Sequence, residues 1–295
     1  MPQARVALLP SYGVVAVTGR DARSFLQGQL TNDLLGLERH PGMLAAACNR
    51  QGRVIATMRL AAADDAVLIV LRRDLVRVVA AHLSPFVLRA DVAITDASAG
   101  LHVMALLDAG SDAQLPSAAA ANGLSFLVCS PRRILLAGLR TALESTVAAV
   151  PRSDPADWDR AAIADGEPTV FPDTSGTWLP QMLNLDLIAA VSFTKGCYLG
   201  QELVARAQHL GRIKRRMLRY VAPPGLALHP GQQLYFGEAP AAQIVTAAGD
   251  AAGSHCLAVV ELARCAELLG LTPGGSEFVP ADLPYAIPAP ASVDE

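Results

Sequence analysis

Between residues 43 and 94 the chain sets out short apolar runs in an order that few architectures accept. Met43–Cys48 and Val54–Leu60 are strand-length runs joined by the polar turn Asn49-Arg50-Gln51-Gly52, which reads as a hairpin. Ala66–Leu71 follows the polar pair Asp64-Asp65 as a third strand. From Asp74 the period changes, because Leu75, Val78, Val79, His82 and Leu83 recur at helical spacing. Val87–Ile94 then reads as a strand again. Elements this short bury their apolar sides only against one another. The β-β-β-α-β order therefore predicts an α+β layer, with a helix laid on one face of a sheet.

The same texture surrounds this core. Val6–Leu9 and Val14–Val17 read as strands parted by Pro10 and Gly13. Asp21 suits the N-cap of a helix through Phe25 and Leu26, which Gly28 ends or bends. Further on, Leu101–Leu107, Ser125–Cys129 and Ile134–Ala137 read as strands, and Thr141–Val150 as a helix. Ala113–Asn122 is small and polar-flanked, as expected of a flexible surface segment. Two such units in tandem suggest a structural duplication without a clear sequence repeat. Asp154 or Asp157 opens a helix through Trp158 and Ile163, stopped by Gly166 and Pro168. Beyond Arg216, short strands alternate with turns at Pro223-Pro224-Gly225, Pro230-Gly231, Gly237 and Gly249-Asp250. That spacing predicts a small all-β barrel or sandwich. Pro284–Glu295, rich in Pro, Ala and acid, reads as a tail.

One stretch stands apart chemically: Lys195-Gly196-Cys197-Tyr198-Leu199-Gly200-Gln201-Glu202. It places an ammonium, a thiol, a phenol, an amide and a carboxylate around two glycines, which permit a sharp turn and close approach of backbone. A cation at Lys195 and a helix N-terminus after Gly200 would both favour a Cys197 thiolate. The residues equally suit a purely structural turn, with Tyr198 in the core and Cys197 a small hydrophobe. Glu202 opens a helix from Gln201 to about Leu210, ended by Gly211, and Arg206 is its i,i+4 partner.

The run Phe193-Thr194-Lys195-Gly196-Cys197-Tyr198-Leu199-Gly200-Gln201-Glu202-Leu203-Val204-Ala205-Arg206 closely resembles the signature of the YgfZ family. Phe25-Leu26-Gln27-Gly28-Gln29-Leu30-Thr31-Asn32-Asp33 resembles that family's N-terminal motif. Pro180-Gln181-Met182-Leu183-Asn184-Leu185 resembles the segment leading into the signature. The family comprises folate-binding proteins related to the T-protein, the aminomethyltransferase of the glycine cleavage system. They act in assembly or repair of iron–sulfur clusters.

The resemblance implies tandem ferredoxin-like α/β units of the T-protein type followed by a small C-terminal β-barrel. It implies a folate-binding region over 1–213, split near 98 and 150, a barrel over 214–286 and a tail over 287–295. It implies tetrahydrofolate or a related reduced folate as cofactor. Trp158, ahead of the Gly166-Glu167-Pro168 turn, and Tyr12, where the family has tryptophan, are then the folate aromatics. Cys197 becomes the candidate reactive thiol. The implied partners are iron–sulfur client enzymes, tRNA-modifying ones included, or assembly proteins. Two departures matter. Relatives often have Glu-Ala-Gly before the Gly-x-Pro turn, whereas here Asp165 is offset by one position. The T-protein also places a catalytic carboxylate after a glycine-rich strand turn. The matching run here is Gly52-Arg53-Val54-Ile55-Ala56-Thr57, and neither Ala56 nor Thr57 serves as a general base. Aminomethyltransferase activity is therefore disfavoured; it and a non-catalytic scaffold are the alternatives.

Composition narrows the classes further. Apolar residues make up 52% of the 295 and charged residues only 17%, enough for sizeable cores. A net charge of −3 gives no electrostatic case for direct nucleic-acid binding. Lys214-Arg215-Arg216 is the densest basic run and reads as a solvated strand edge, or as an attractor for the glutamate tail of folate. The five cysteines are scattered, with no C-x-x-C pair, as expected in a reducing compartment. The six histidines are dispersed, so no metal site is expected. With no long uncharged apolar run and no leader-like start, a cytoplasmic protein with no membrane span is expected.

Overall fold

The structure, a computed structural model, describes residues 3–40, 42–63, 65–109, 123–209, 213–236, 239–250, 253–264 and 278–288. The expected surface segment 113–122, Gly211 and Gly237 lie outside the described residues, as does most of the expected tail. The chain divides into two compact units. One comprises Met1–Cys48, Ile55–Trp158 and Ala190–Leu199, and the other Asn49–Val54, Asp159–Ala189 and Gly200–Glu295.

The first unit is built on β1 (Arg5–Leu8), β2 (Tyr12–Thr18), α1 (Ala22–Gln27), β3 (Met43–Cys48), β4 (Val54–Ala63), β5 (Ala66–Arg72), α2 (Val76–Leu83), β6 (Ala93–Asp96), β7 (His102–Leu107), β8 (Ser125–Ser130), β9 (Arg133–Gly138) and α3 (Arg140–Thr146). One sheet has the order β3-β4-β5-β2-β6 and the other β1-β7-β9-β8. The β2–β5 pairing is antiparallel, with Val15 opposite Ile69. The hairpin, the third strand and the helix expected between 43 and 83 are all present.

The strands expected around Pro10 form, but they join different sheets. Val6 of β1 lies opposite Leu106 of β7, packed with Met104, Leu136, Leu143 and Val147. The strand expected over 87–94 starts later, at Ala93. Leu88 takes a left-handed φ of 47° and is 89% exposed, so the chain turns before it can extend. Leu75, Val79 and Leu83 are buried as expected, while Val78 faces out and Val76 is buried in its place, so the inward stripe keeps its period and differs at that one position. Asp21 makes no side-chain cap on α1. Its Oδ2 instead accepts the Asp91 backbone N–H at 2.8 Å.

The helix α4 (Ala156–Ala164) leads to a region of short turns. The second unit then carries α5 (Gln201–His209), β10 (Arg215–Ala222), β11 (Gln233–Phe236), β12 (Ala239–Asp250), β13 (Gly253–Glu261) and β14 (Val279–Ala281). These strands form one antiparallel sheet, β11-β12-β13-β10-β14. The expected small barrel is thus a five-stranded sheet that does not close among the described residues. The edge strand β14 has three residues, and its Pro280 has no N–H to donate to a further strand. One face packs Tyr220, Leu234, Ile244, Cys256, Val260 and Phe278 into a core.

Candidate functional site

Lys195, within the signature, is 8% exposed. Its Nζ donates to the carbonyls of Gln27 at 2.6 Å, Leu30 at 2.7 Å and Asn32 at 2.7 Å. An ammonium has three donors, so all are committed. Burial pulls its pKa down to about 8, with Asp33 acting in the opposite sense. The ammonium also lies 5.3 Å from the centre of the Tyr198 ring, which is buried and whose phenol burial pushes upward. Lys195 is therefore a tie to the N-terminal motif, where the sequence suggested a cation serving Cys197.

The motif it grips is itself cross-linked. Thr31 Oγ1 donates to the Ala190 carbonyl at 2.7 Å and accepts the Ala46 N–H at 2.9 Å. Asn32 Nδ2 donates to the Leu44 carbonyl at 2.7 Å. Gln27 accepts the Leu34 N–H through Oε1 and donates through Nε2 to Asp33. Within the first unit, Ala190 and Lys195 are thus tied to a motif 159 to 168 positions earlier in sequence.

Gly196 and Cys197, on the irregular segment that follows, are exposed. Cys48 and Cys256 are fully buried, and burial pushes both thiols up to about 12. Cys129 is half-buried, and Cys265 lies outside the described residues. Limited iodoacetamide labelling with peptide mass analysis should therefore modify Cys197 first, Cys129 more slowly, and Cys48 and Cys256 only on unfolding. Equal labelling of Cys197 and Cys48 would contradict that exposure.

The chain returns to the second unit at Gly200, where φ is +80°. A Cβ there would sit 2.4 Å from the Asn49 carbonyl oxygen and 2.9 Å from Gly52 Cα. Only glycine allows that approach, and it seats the start of α5 on the β3–β4 turn. On α5, Glu202 and Arg206 form an ion pair of 3.0 Å with both side chains mostly in solvent. Such a pair contributes a few tenths of a kcal/mol at most. Gln201 is the first residue of the helix. The segment leading into the signature holds this helix: Gln181, wholly buried, donates Nε2 to the Val204 carbonyl at 2.7 Å. Asn184, in the left-handed region at φ 57°, donates to the Met217 carbonyl at 2.7 Å.

The basic run divides. Lys214 and Arg215 are exposed, whereas Arg216 is buried against Asp186 through two contacts of 2.6 and 2.9 Å. Arg216 is thus no solvated edge residue. The Gly166 turn is closed by a residue that no local signal marks, Tyr285, whose Oη donates to the Gly166 carbonyl at 2.7 Å.

Tyr12 and Trp158 are brought together in the first unit, edge to face, with ring centres 6.4 Å apart. Trp158 Nε1 donates to Tyr12 Oη at 3.0 Å. The Arg133 guanidinium lies 4.7 Å from the indole centre and that of Arg72 5.9 Å from the phenol ring. Trp158 is 2% exposed and Tyr12 half-buried, so Tyr12 offers the accessible ring. Neither arginine was legible from the sequence, because each is placed only by its strand's register. Among the described residues, no three His, Cys, Asp or Glu side chains cluster as metal ligands, and no helix is long and apolar enough to cross a membrane.

No family model matches the chain. The tRNA-modifying protein YgfZ of Colwellia psychrerythraea is 31% identical over 232 residues, which cover 74% of this chain and 71% of that protein. The chain belongs to the YgfZ family. The YgfZ of Vibrio vulnificus is 30% identical over 229 residues, 74% of this chain and 70% of that one. A mitochondrial homologue of an iron–sulfur cluster assembly factor from Mycosarcoma maydis is 35% identical over 249 residues, 76% of this chain and 60% of that protein. Among solved structures, aminomethyltransferase T of the glycine cleavage system from Bartonella henselae superposes with a TM-score of 0.72 at 15% identity. That match covers 96% of this chain and 86% of the other, so this YgfZ protein has the T-protein fold.

Proposed function

We propose that this YgfZ protein is a folate-binding accessory factor that supports assembly or repair of iron–sulfur clusters in cytoplasmic client enzymes, tRNA-modifying ones among them. Family membership supports the client class, since relatives are named for tRNA modification and iron–sulfur cluster assembly. The observation that carries folate binding is the Tyr12–Trp158 pair with a guanidinium near each ring.

These residues fit a reduced folate. Tyr12 supplies an aromatic face for a flat heterocycle. Trp158 fixes that ring through its N–H. Arg72, ion-paired with Asp74 at 3.2 Å, and the buried Arg133 hold positive charge beside the two rings, which favours an electron-rich or anionic ligand there. Tetrahydrofolate, when bound, supplies nitrogens that carry one-carbon units. The resemblance sets Ala56 and Thr57 where the transferase has its carboxylate, and both are buried in β4. Neither moves a proton on an aminomethyl group, which is why the accessory reading ranks above the transferase one.

The test is a titration with 5-formyltetrahydrofolate followed by tryptophan fluorescence. Saturable binding is expected, and Tyr12→Ala should weaken it by about 1–2 kcal/mol, roughly 5- to 30-fold. Equal affinity in variant and wild type removes Tyr12 from the site. No binding by either favours the scaffold alternative, and release of methylene-tetrahydrofolate from an aminomethyl-lipoyl carrier favours the transferase.

A further inference from the structure

We propose that the second unit carries a separate binding site for an amphipathic carboxylate that also bears an amide N–H, set astride Arg215. The site does not depend on folate binding by the first unit.

Two cavities, of about 380 and 340 Å³, share Arg215 and Glu261 as lining residues. These two residues lie directly opposite each other on the antiparallel strands β10 and β13. The larger cavity is lined by Trp178, Gln233, Tyr235 and Gln243, and the smaller by Leu179, Met182, Ala207, Ile213, Gln181 and Lys214. Both volumes lie at the small end of ligand sites.

Arg216 points to the opposite face of β10 and is consumed by Asp186. Among the described residues, the exposed side chains of Lys214 and Arg215 make no ion pair or hydrogen bond. The run therefore gives one cation to the fold and keeps two at the cavity wall. Gln181 adds an independent sign. It is 0% exposed, and its Nε2 is used on Val204 and Gln208. Its Oε1 is buried with no hydrogen-bond partner among the described residues, although Gln181 lines the smaller cavity. A buried acceptor without a donor is unfavourable until a ligand supplies one.

Three chemical demands follow from these residues. A carboxylate suits the planar guanidinium of Arg215, with Lys214 beside it. An apolar side chain suits Leu179, Met182 and Ile213. An amide N–H suits Gln181 Oε1. An N-acylated apolar amino acid meets all three, and so does the last residue of a polypeptide, whose preceding residues would occupy the larger cavity. Single-stranded RNA is a poorer fit, because among the described residues the wall holds two unpaired cations and also presents the Glu261 carboxylate.

The experiment is calorimetric titration of the full chain with N-acetyl-L-leucine, its methyl ester, and an N-acetylated pentapeptide ending in leucine. The acid should bind saturably and the ester at least tenfold more weakly. Arg215→Gln should weaken the acid at least tenfold with an unchanged melting temperature, and Met182→Trp should abolish binding by filling the apolar half. A pentapeptide binding tenfold tighter than N-acetyl-leucine identifies a polypeptide terminus as the source, and equal affinity identifies a small molecule. The proposal fails if neither acid binds saturably, if ester and acid bind alike, or if Arg215→Gln changes nothing. It also fails if only an RNA oligonucleotide shows Arg215-dependent binding.

Discussion

A Lys195→Met variant is expected to be less stable to urea by about 3–5 kcal/mol, through a lower midpoint at unchanged slope. The side chain fits by length, so the loss is electrostatic. Three main-chain carbonyls that converge on Nζ lose their only charged donor. Hydrogen bonds to charged groups contribute about 1.5–3 kcal/mol each, and an orphaned buried acceptor adds its own penalty. The full sum is not expected. The variant also escapes the burial of an ammonium, and the Gln27 and Asn32 carbonyls are only part-buried. Lys195→Arg should not restore stability, because a planar guanidinium cannot place three donors where a compact ammonium does. A loss below 1 kcal/mol in Lys195→Met would show that water replaces the ammonium and that the two motifs are not held by it.

That residue also marks how far the sequence could be read. The hairpin through Asn49–Gly52 and the helix at Val76–Leu83 were legible because their signals are local: turn residues, strand-length apolar runs and a helical period. The assignment of β1 to the second sheet was not, since nothing in Arg5–Leu8 says that Val6 will face Leu106. That the sheet does not close among the described residues was not legible either. Turn spacing counts strands, but closure depends on whether the edges meet, and β14 is only three residues long. At the candidate site, residue types were legible and roles were not. Lys195 meets Gln27 across 168 positions, and Trp158 meets Tyr12 across 146. A lysine beside a cysteine in sequence suggests an activated thiol. Three carbonyls brought in by the fold make it a structural cation.

Asp186→Asn is the second variant expected to cost about 3–5 kcal/mol, because it leaves the Arg216 charge buried without its counterion. The two side chains are 5% and 4% exposed, and the guanidinium meets both carboxylate oxygens. Its other partner, the Gln181 carbonyl at 2.9 Å, cannot balance a full charge. The double variant Asp186→Leu/Arg216→Met separates two causes of that loss. If the penalty is uncompensated charge, removing both charges recovers most of the stability, as in other buried pairs replaced by apolar groups. If the bidentate geometry itself holds the Pro180–Leu183 turn, the double variant stays as weak as the single one. In that case the Gln181 side chain also loses its seat, and amide exchange near Val204 on α5 speeds up, since Gln181 ties that turn to the helix. A single variant within 1 kcal/mol of wild type would mean that water reaches Arg216 and that the pair acts as a surface one.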